Sequence, residues 1–209
     1  MPLSVQPSRA TPEELELVAA IGAGDERAFT TAVEQHHAAM VAVAKAFVLA
    51  PEKARQIARD AWTAALAEAD RFDGRTALRA WLLRFVVSLA EPLAVRPDGR
   101  SPETAAPAVE LERFRGRRDA FPGHWRDYPR DWRALPEGVL RGDDARRVVA
   151  AAVEALPVEQ RAVITLRDVA GCPARQACDI LELPEAVVRE RLHQARSRVR
   201  AALERHLDD

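Results

Sequence analysis

The stretch from Ala174 to Leu207 does most to restrict what this chain can become. Ala174 to Leu181 reads as a short helix. Glu182, Leu183 and Pro184 interrupt it, because proline has no amide hydrogen to donate and pushes the residue before it out of the helical region. From Glu185 to about Leu207 the spacing predicts a longer helix, with Val188, Leu192, Ala195, Val199 and Leu203 facing inward. A short helix, a three-residue turn and a longer helix in that order form a helix-turn-helix, whose second helix suits the major groove of DNA.

Elsewhere nothing competes with helix. Ala, Leu, Val, Arg and Glu dominate, one Tyr is present, and β-branched residues nowhere alternate with polar ones over a strand's length, so the fold class is all-α. A hydrophobic fraction of 48% over 209 residues suffices for the core of one large domain or two small ones. Punctuation decides for two, since seven of the 14 prolines and five of the 9 glycines fall between Glu91 and Gly142, where no helical period is sustained. The expected organisation is two small helical domains, residues 1–90 and 143–209, joined by a Pro/Gly/Arg-rich linker over 91–142, the C-terminal domain carrying the helix-turn-helix.

In the first domain Thr11, Pro12, Glu13 and Glu14 read as a capping box with proline at the first helical position, and Gly22 and Gly24 stop that helix. Asp25 caps a second helix carrying Phe29, Val33, Met40, Val43 and Phe47, and a third starts near Pro51 and carries Ile57, Ala61, Trp62 and Leu66. After the turn Phe72 to Arg75, Thr76 is placed to cap a fourth helix, in which Leu78, Trp81, Leu82, Phe85, Val86 and Leu89 recur with helical spacing. In the second domain a helix through Val148, Val149, Ala152, Val153 and Leu156 stops at Pro157, and another runs from Val158 to Val169 and ends at Gly171.

The long C-terminal helix also carries charge in a pattern. Arg189, His193, Arg196 and Arg200 form one stripe, and Arg191, Gln194, Arg198 and Arg205 line the other flank of the core face. A planar guanidinium can grip phosphate oxygens, or the paired acceptors of guanine, through two donors at once. Glu185 to Arg191 would enter the groove and the later arginines would hold the backbone, with Glu190 and Gln194 able to read cytosine or adenine. Arg175 on the short helix joins the candidate DNA contacts. A solvated helix kept soluble by its arginines would look the same in isolation. The short helix and turn before it favour the DNA-binding reading.

Other chemistries find little support. Acidic and basic residues nearly cancel, 32 against 31, so a nucleic-acid partner must be met by local patches. No Ser/His/Asp set, cleft carboxylate pair or glycine-rich phosphate loop is recognisable, so neither an enzyme nor a cofactor is expected. Cys172 and Cys178 match neither a metal spacing nor a disulfide framework, and the adjacent His36 and His37 diverge by about 100° on a helix, so no metal is expected either. No run of about 18 apolar residues and no basic-then-apolar N-terminus occurs, which makes the cytoplasm the default and stable membrane insertion unexpected.

Two blocks carry a family resemblance. Ala155 to Gly171 (ALPVEQRAVITLRDVAG), followed by Arg191 to Arg196 (RLHQAR), resembles the C-terminal domain of the extracytoplasmic-function (ECF) sigma factors of bacterial RNA polymerase, members of the sigma-70 family. Asp70 to Phe85 (DRFDGRTALRAWLLRF) resembles the promoter-melting helix of the same family, and the blocks occur in that family's order and separation. Pro122 to Trp132 is similar to the Trp/Pro-containing linker of one subgroup.

The resemblance implies an alternative sigma factor, its first domain on the clamp of the largest polymerase subunit and the proximal (−10) promoter element, its second on the flap of the second subunit and the distal (−35) element. Arg71, Arg75, Arg79 and Arg84 would hold the DNA backbone, the loop Phe72 to Arg75, with Asp73, would lie beside a flipped base, and Trp81 would be core. Arg55, Arg59, Asp60 and Trp62 would meet the polymerase, and linker residues Arg113, Arg115, Arg117 and Arg118 would thread toward the RNA path. Trp125 and Trp132 would either accompany that linker or pack on the second domain. An anti-sigma factor is a further partner that the family allows. Lys53, Ala54, Arg55 and Gln56 stand where the family usually carries acids, and Val87 to Glu91 replaces a usual Asn flanked by basic residues. These departures keep open a second reading, a sigma-like adaptor or regulator that binds polymerase, DNA or another sigma factor without initiating alone.

Overall fold

The computed structural model describes residues 9–94 and 143–208, so most of the expected linker, with Arg113, Arg115, Arg117, Arg118, Trp125 and Trp132, lies outside the described residues. All elements among the described residues are helical: α1 (Pro12–Gly22), α2 (Glu26–Val48), α3 (Pro51–Ala67), α4 (Leu78–Ala90), α5 (Asp143–Glu154), α6 (Val158–Ile164), α7 (Ala174–Leu181) and α8 (Glu185–Asp208). Short 3-10 turns follow α3 (Ala69–Arg71) and α4 (Glu91–Leu93), and a π turn (Thr165–Val169) continues α6.

Local chemistry sets most of these boundaries. At α1 the capping box closes in both directions, Glu14 N donating to Thr11 Oγ1 at 3.2 Å and Thr11 N to Glu14 Oε2 at 3.0 Å. Asp25 Oδ1 accepts from the amides of Arg27 (2.8 Å) and Ala28 (3.2 Å), satisfying two of the orphan donors at the start of α2. Helix α4 differs from expectation: Ala77, not Thr76, is its N-cap, and no side chain caps it. Asp73 already turns the chain by accepting from Arg75 N at 3.0 Å, which leaves Ala77 as the extended residue that enters the helix. The run from Val158 to Val169 is helical as expected but widens after Ile164, where Ala170 N reaches back to Thr165 O at 2.7 Å, a π-type bond. Gly171, at φ +69°, ends it.

By packing, the chain divides into residues 1–96 with 158–192, and 97–157 with 193–209. In the first unit α2, α3 and α4 pack on one another, and α6, the π turn and α7 pack on α2 and α4. One core serves all of them: Met40, Val43 and Phe47 from α2, Ile57 and Ala61 from α3, and Leu82, Leu83 and Val86 from α4 lie with Val163, Leu166, Cys172 and Ile180. Each such aliphatic side chain contributes about 1.5–3 kcal/mol by leaving water, and truncating Leu83, which is fully buried, to Ala costs about 2–5 kcal/mol. In the second unit Ala145, Leu156, Ala195 and Leu203 are buried.

Candidate nucleic-acid interface

The turn between α7 and α8 is built by its backbone. Glu182 takes a left-handed conformation (φ 53°, ψ 41°), unusual for a residue with a Cβ, and Leu183 N donates to Cys178 O at 3.1 Å. Pro184 O then accepts from Val187 N (3.0 Å) and Val188 N (3.1 Å), starting α8.

Along α8 the two charged stripes separate by burial. Arg189, His193, Arg196 and Arg200 are exposed, whereas Arg191, Gln194 and Arg198 are half-buried beside the core face and Arg205 is exposed. Val188, Ala195 and Leu203 are buried and Leu192 and Val199 half-buried, so the apolar spacing faces inward along the helix. Arg175, Glu185 and Glu190 are exposed. The first stripe and Arg205 are thus exposed to meet a polyanion, whereas Arg191, Gln194 and Arg198 spend part of their aliphatic stems on packing.

The second cluster lies on α4 and the loop before it. Phe72, Trp81 and Phe85 form an aromatic ladder with centroid spacings of 5.1 and 5.0 Å; all three are half-buried, and Trp81 is therefore not wholly core. Arg75 and Asp73, both exposed, pair at 3.0 Å (Nε to Oδ2). Gly74 shapes the loop tip: its φ is +70°, a Cβ there would sit 2.7 Å from Leu15 Cδ2, and its carbonyl accepts from Ala10 N at 3.1 Å. Arg71 is exposed, 3.9 Å from Glu68, and Arg84 is 3.8 Å from Glu182 on the α7–α8 turn. Arg79 is half-buried with its Nε in the interior, bonded to nothing, and its charge acts on His36.

On α3, Arg55, Arg59 and Asp60 are exposed and knitted within the helix. Arg55 pairs with Glu52, Arg59 donates to Gln56 Oε1 at 2.6 Å, and Gln56 donates to Asp60 Oδ1 at 2.7 Å. The Arg55 hydrogen bond holds the Glu52 carboxyl below its ordinary value. Trp62, expected beside them, is instead 7% exposed, edge-on to Phe29 at 5.4 Å, with its indole N–H donating to His37 Nδ1 at 3.3 Å. It is a strut inside the bundle, because the apolar face of α3 that carries Ile57 and Ala61 also carries Trp62.

The sequence reading missed Arg161, buried on α6 with its Nε donating to the carbonyl of Ala46, and also Glu182. Arg161 stands between Val158 and the apolar residues Ala162 to Ile164, and that position was the one available signal.

Residues 146–199 match the family model "Sigma-70, region 4". The RNA polymerase sigma-H factor of Pseudomonas aeruginosa is 25% identical over 192 residues, 92% of this chain and 94% of that protein. The resemblance is thus to the sigma-70 family. The chain is also similar to the ECF RNA polymerase sigma-E factor of Escherichia coli K12, 26% identical over 183 residues, 88% of this chain and 90% of that one. Two solved structures share the fold. CnrH in complex with the cytosolic domain of CnrY aligns with a TM-score of 0.56 at 23% identity, covering 93% of this chain and 97% of that one. RpoE in complex with the anti-sigma factor NepR from Bartonella quintana aligns at 0.53 and 20%, covering 84% and 96%. Among the described residues, no helix is long and apolar enough to cross a membrane.

Proposed function

We propose that the protein is an alternative sigma factor of the ECF type, which binds core RNA polymerase and directs it to particular promoters. The observation that carries this reading is the exposed stripe Arg189, His193, Arg196 and Arg200 on the second helix of a helix-turn-helix, inside the segment that matches sigma-70 region 4. Residues 143–209 would serve the distal element and the polymerase flap, and residues 1–90 the proximal element and the clamp, with 91–142 as the linker. Arg189, Arg191 and their acidic neighbours Glu185 and Glu190 read bases at the start of α8, Arg196 and Arg200 hold phosphates, and Arg175 on α7 is a further phosphate contact.

On the first domain, Arg71 and Arg75 hold the backbone while Phe72 and Asp73 flank an extruded base, whose unstacking costs a few kcal/mol that these contacts offset. Arg79 and Arg84 extend the grip along α4. The exposed Arg55, Arg59 and Asp60 face the clamp, and Trp62 supports them from within. The factor makes and breaks no bond and works in the cytoplasm. A protein inhibitor is part of the proposal, since one solved relative is held by an anti-sigma factor.

The test mixes the purified chain with sigma-free core polymerase and sequences transcripts made from fragmented genomic DNA. Transcripts starting at shared distances downstream of a common motif are the expected result. Silence, in a preparation that a known sigma factor activates, would overturn initiation and leave the adaptor reading.

A further inference from the structure

Helix α4 starts in the interior. Ala77, its N-cap, and Leu78 and Ala80 in its first turn are each 2% exposed, no side chain caps the helix, and no carboxylate stands in that turn. The first amides of a helix have no carbonyl within it to donate to, and the macrodipole adds partial positive charge at that end. Thr11 and Asp25 meet this need for α1 and α2. The buried amides of Leu78 and Ala80 receive no acceptor from any side chain.

Two side chains beside this helix end are unsatisfied as well. His36 lies on the face of α2 that carries Met40, Val43 and Phe47 into the core shared with Leu82, Leu83 and Val86. It is 9% exposed, and both ring nitrogens are buried without a hydrogen-bond partner. The charge that reaches it is that of Arg79, the second residue of α4. The Arg79 side chain has its Nε buried and unpartnered and forms no ion pair with any described residue. Arg79 also reaches Cys172, where the second charge is that of Arg167, so no carboxylate is among the charges acting at either place.

Buried donors without acceptors are costly, and several of them converging on one place point to a partner from outside the chain. A water molecule satisfies the imidazole but leaves the positive charge unbalanced. An anion meets both needs, and a helix N-terminus is suited to hold one. Charge sets its class. Burial lowers the His36 pKa to about 4, so the imidazole is neutral at pH 7 and the Arg79 guanidinium is the full charge to be balanced there. A monovalent anion leaves the place neutral, whereas a divalent one would bury a net negative charge. Arg79 is half-buried, which gives the ion a way in from solvent.

We infer that the start of α4, with Arg79 and His36, binds a small monovalent anion such as chloride or nitrate. The site stands whether or not α4 meets DNA.

The experiment uses the full chain with potassium chloride as the probe. Chloride exchanging through a protein site broadens its NMR resonance, because the quadrupolar nucleus relaxes fast while bound. Wild type is expected to show excess broadening that potassium nitrate displaces. Arg79→Gln keeps much of the stem and removes the charge, and should lose most of this nitrate-sensitive broadening. His36→Leu keeps the bulk and removes both nitrogens, and should lose a large share of it. Arg27→Gln, at an exposed arginine of α2, should keep it. At constant ionic strength the melting temperature of the wild type should rise as chloride or nitrate replaces the more strongly hydrated fluoride, and Arg79→Gln should flatten that rise. Should His36→Leu fail to fold, Arg79→Gln and Arg27→Gln decide. An equal loss in Arg27→Gln would reduce the signal to diffuse counterions around surface arginines and overturn the site. Wild-type broadening no greater than that of Arg79→Gln would overturn it too, leaving buried water as the partner of His36.

Discussion

On α2, His36 is 9% exposed and neither ring nitrogen has a hydrogen-bond partner. Burial, and then the charge of Arg79, push its pKa down from 6.5 to about 4, so the imidazole is neutral in the fold. Because the folded value is depressed, the contribution is complete above the unfolded value of 6.5 and is lost as the pH falls toward 4. Between those limits the wild type should lose up to about 3 kcal/mol that His36→Leu keeps, at about 1.4 kcal/mol per pH unit. Parallel denaturant titrations at pH 7 and 4.5 measure the difference, and equal losses would show that His36 takes up its proton in the fold as readily as in the unfolded chain. Trp62 separates packing from contact in the same way. Trp62→Phe keeps a ring against Phe29 but removes the donor to His37, at a cost of about 1–2 kcal/mol. A lowered melting temperature with unchanged affinity for core polymerase at 10 °C is the expected outcome; a weakened affinity with unchanged melting would make Trp62 a surface contact.

At the scale of elements, α8 turns burial into different mutant behaviours along one helix. Arg189→Ala is expected to cost about 1–3 kcal/mol on a cognate distal element and less on unrelated DNA, whereas Arg200→Ala should weaken all sequences alike and lower the salt slope by about one. Arg198 is half-buried, so Arg198→Ala should act mainly on the melting temperature. Binding isotherms at several salt concentrations distinguish the three, and a uniform loss for Arg189→Ala would reassign it to phosphate. Much of this element was legible beforehand. Ala174–Leu181, the turn at Pro184 and the inward face of α8 follow from spacing and proline chemistry, which act over a few residues. So do the caps at Thr11 and Asp25. The start of α4 was displaced from Thr76 to Ala77 because the Asp73–Gly74 turn competes with capping, and the π turn carries no composition that sets it apart from α-helix. Trp62 was misplaced on the surface for a related reason: helical spacing groups residues on a face, and resemblance assigned that face to a partner, although the indole belongs to the α3 stripe that packs inward.

At the scale of the whole molecule, an apolar stripe declares that it will be buried without declaring against what. Nothing in Val158 to Ile180 indicates that these residues share a core with α2 and α4, because the Ala46 carbonyl that Arg161 meets lies 115 residues away and the pairing depends on shape. Cys172 and Cys178, the two cysteines of the chain, report on that shared core. Cys172 is 1% exposed, and burial raises its thiol to about 11, so at pH 8 about one molecule in a thousand carries the reactive thiolate even before access is considered. Cys178 is half-buried in the middle of α7 and its thiol is also raised, by burial first and then by Glu185 and Asp179. A chromogenic disulfide reagent at pH 8 should therefore titrate about one thiol in the native protein and the second only on unfolding. Arg161→Ala should speed the second reaction without speeding the first, because it loosens the helices that bury Cys172 while leaving the surroundings of Cys178 on α7 intact. Rapid reaction of both thiols in the native wild type would mean that α6 and α7 spend much of their time away from α2 and α4. The apolar residues they bury would then contribute far less to stability than their exposure implies.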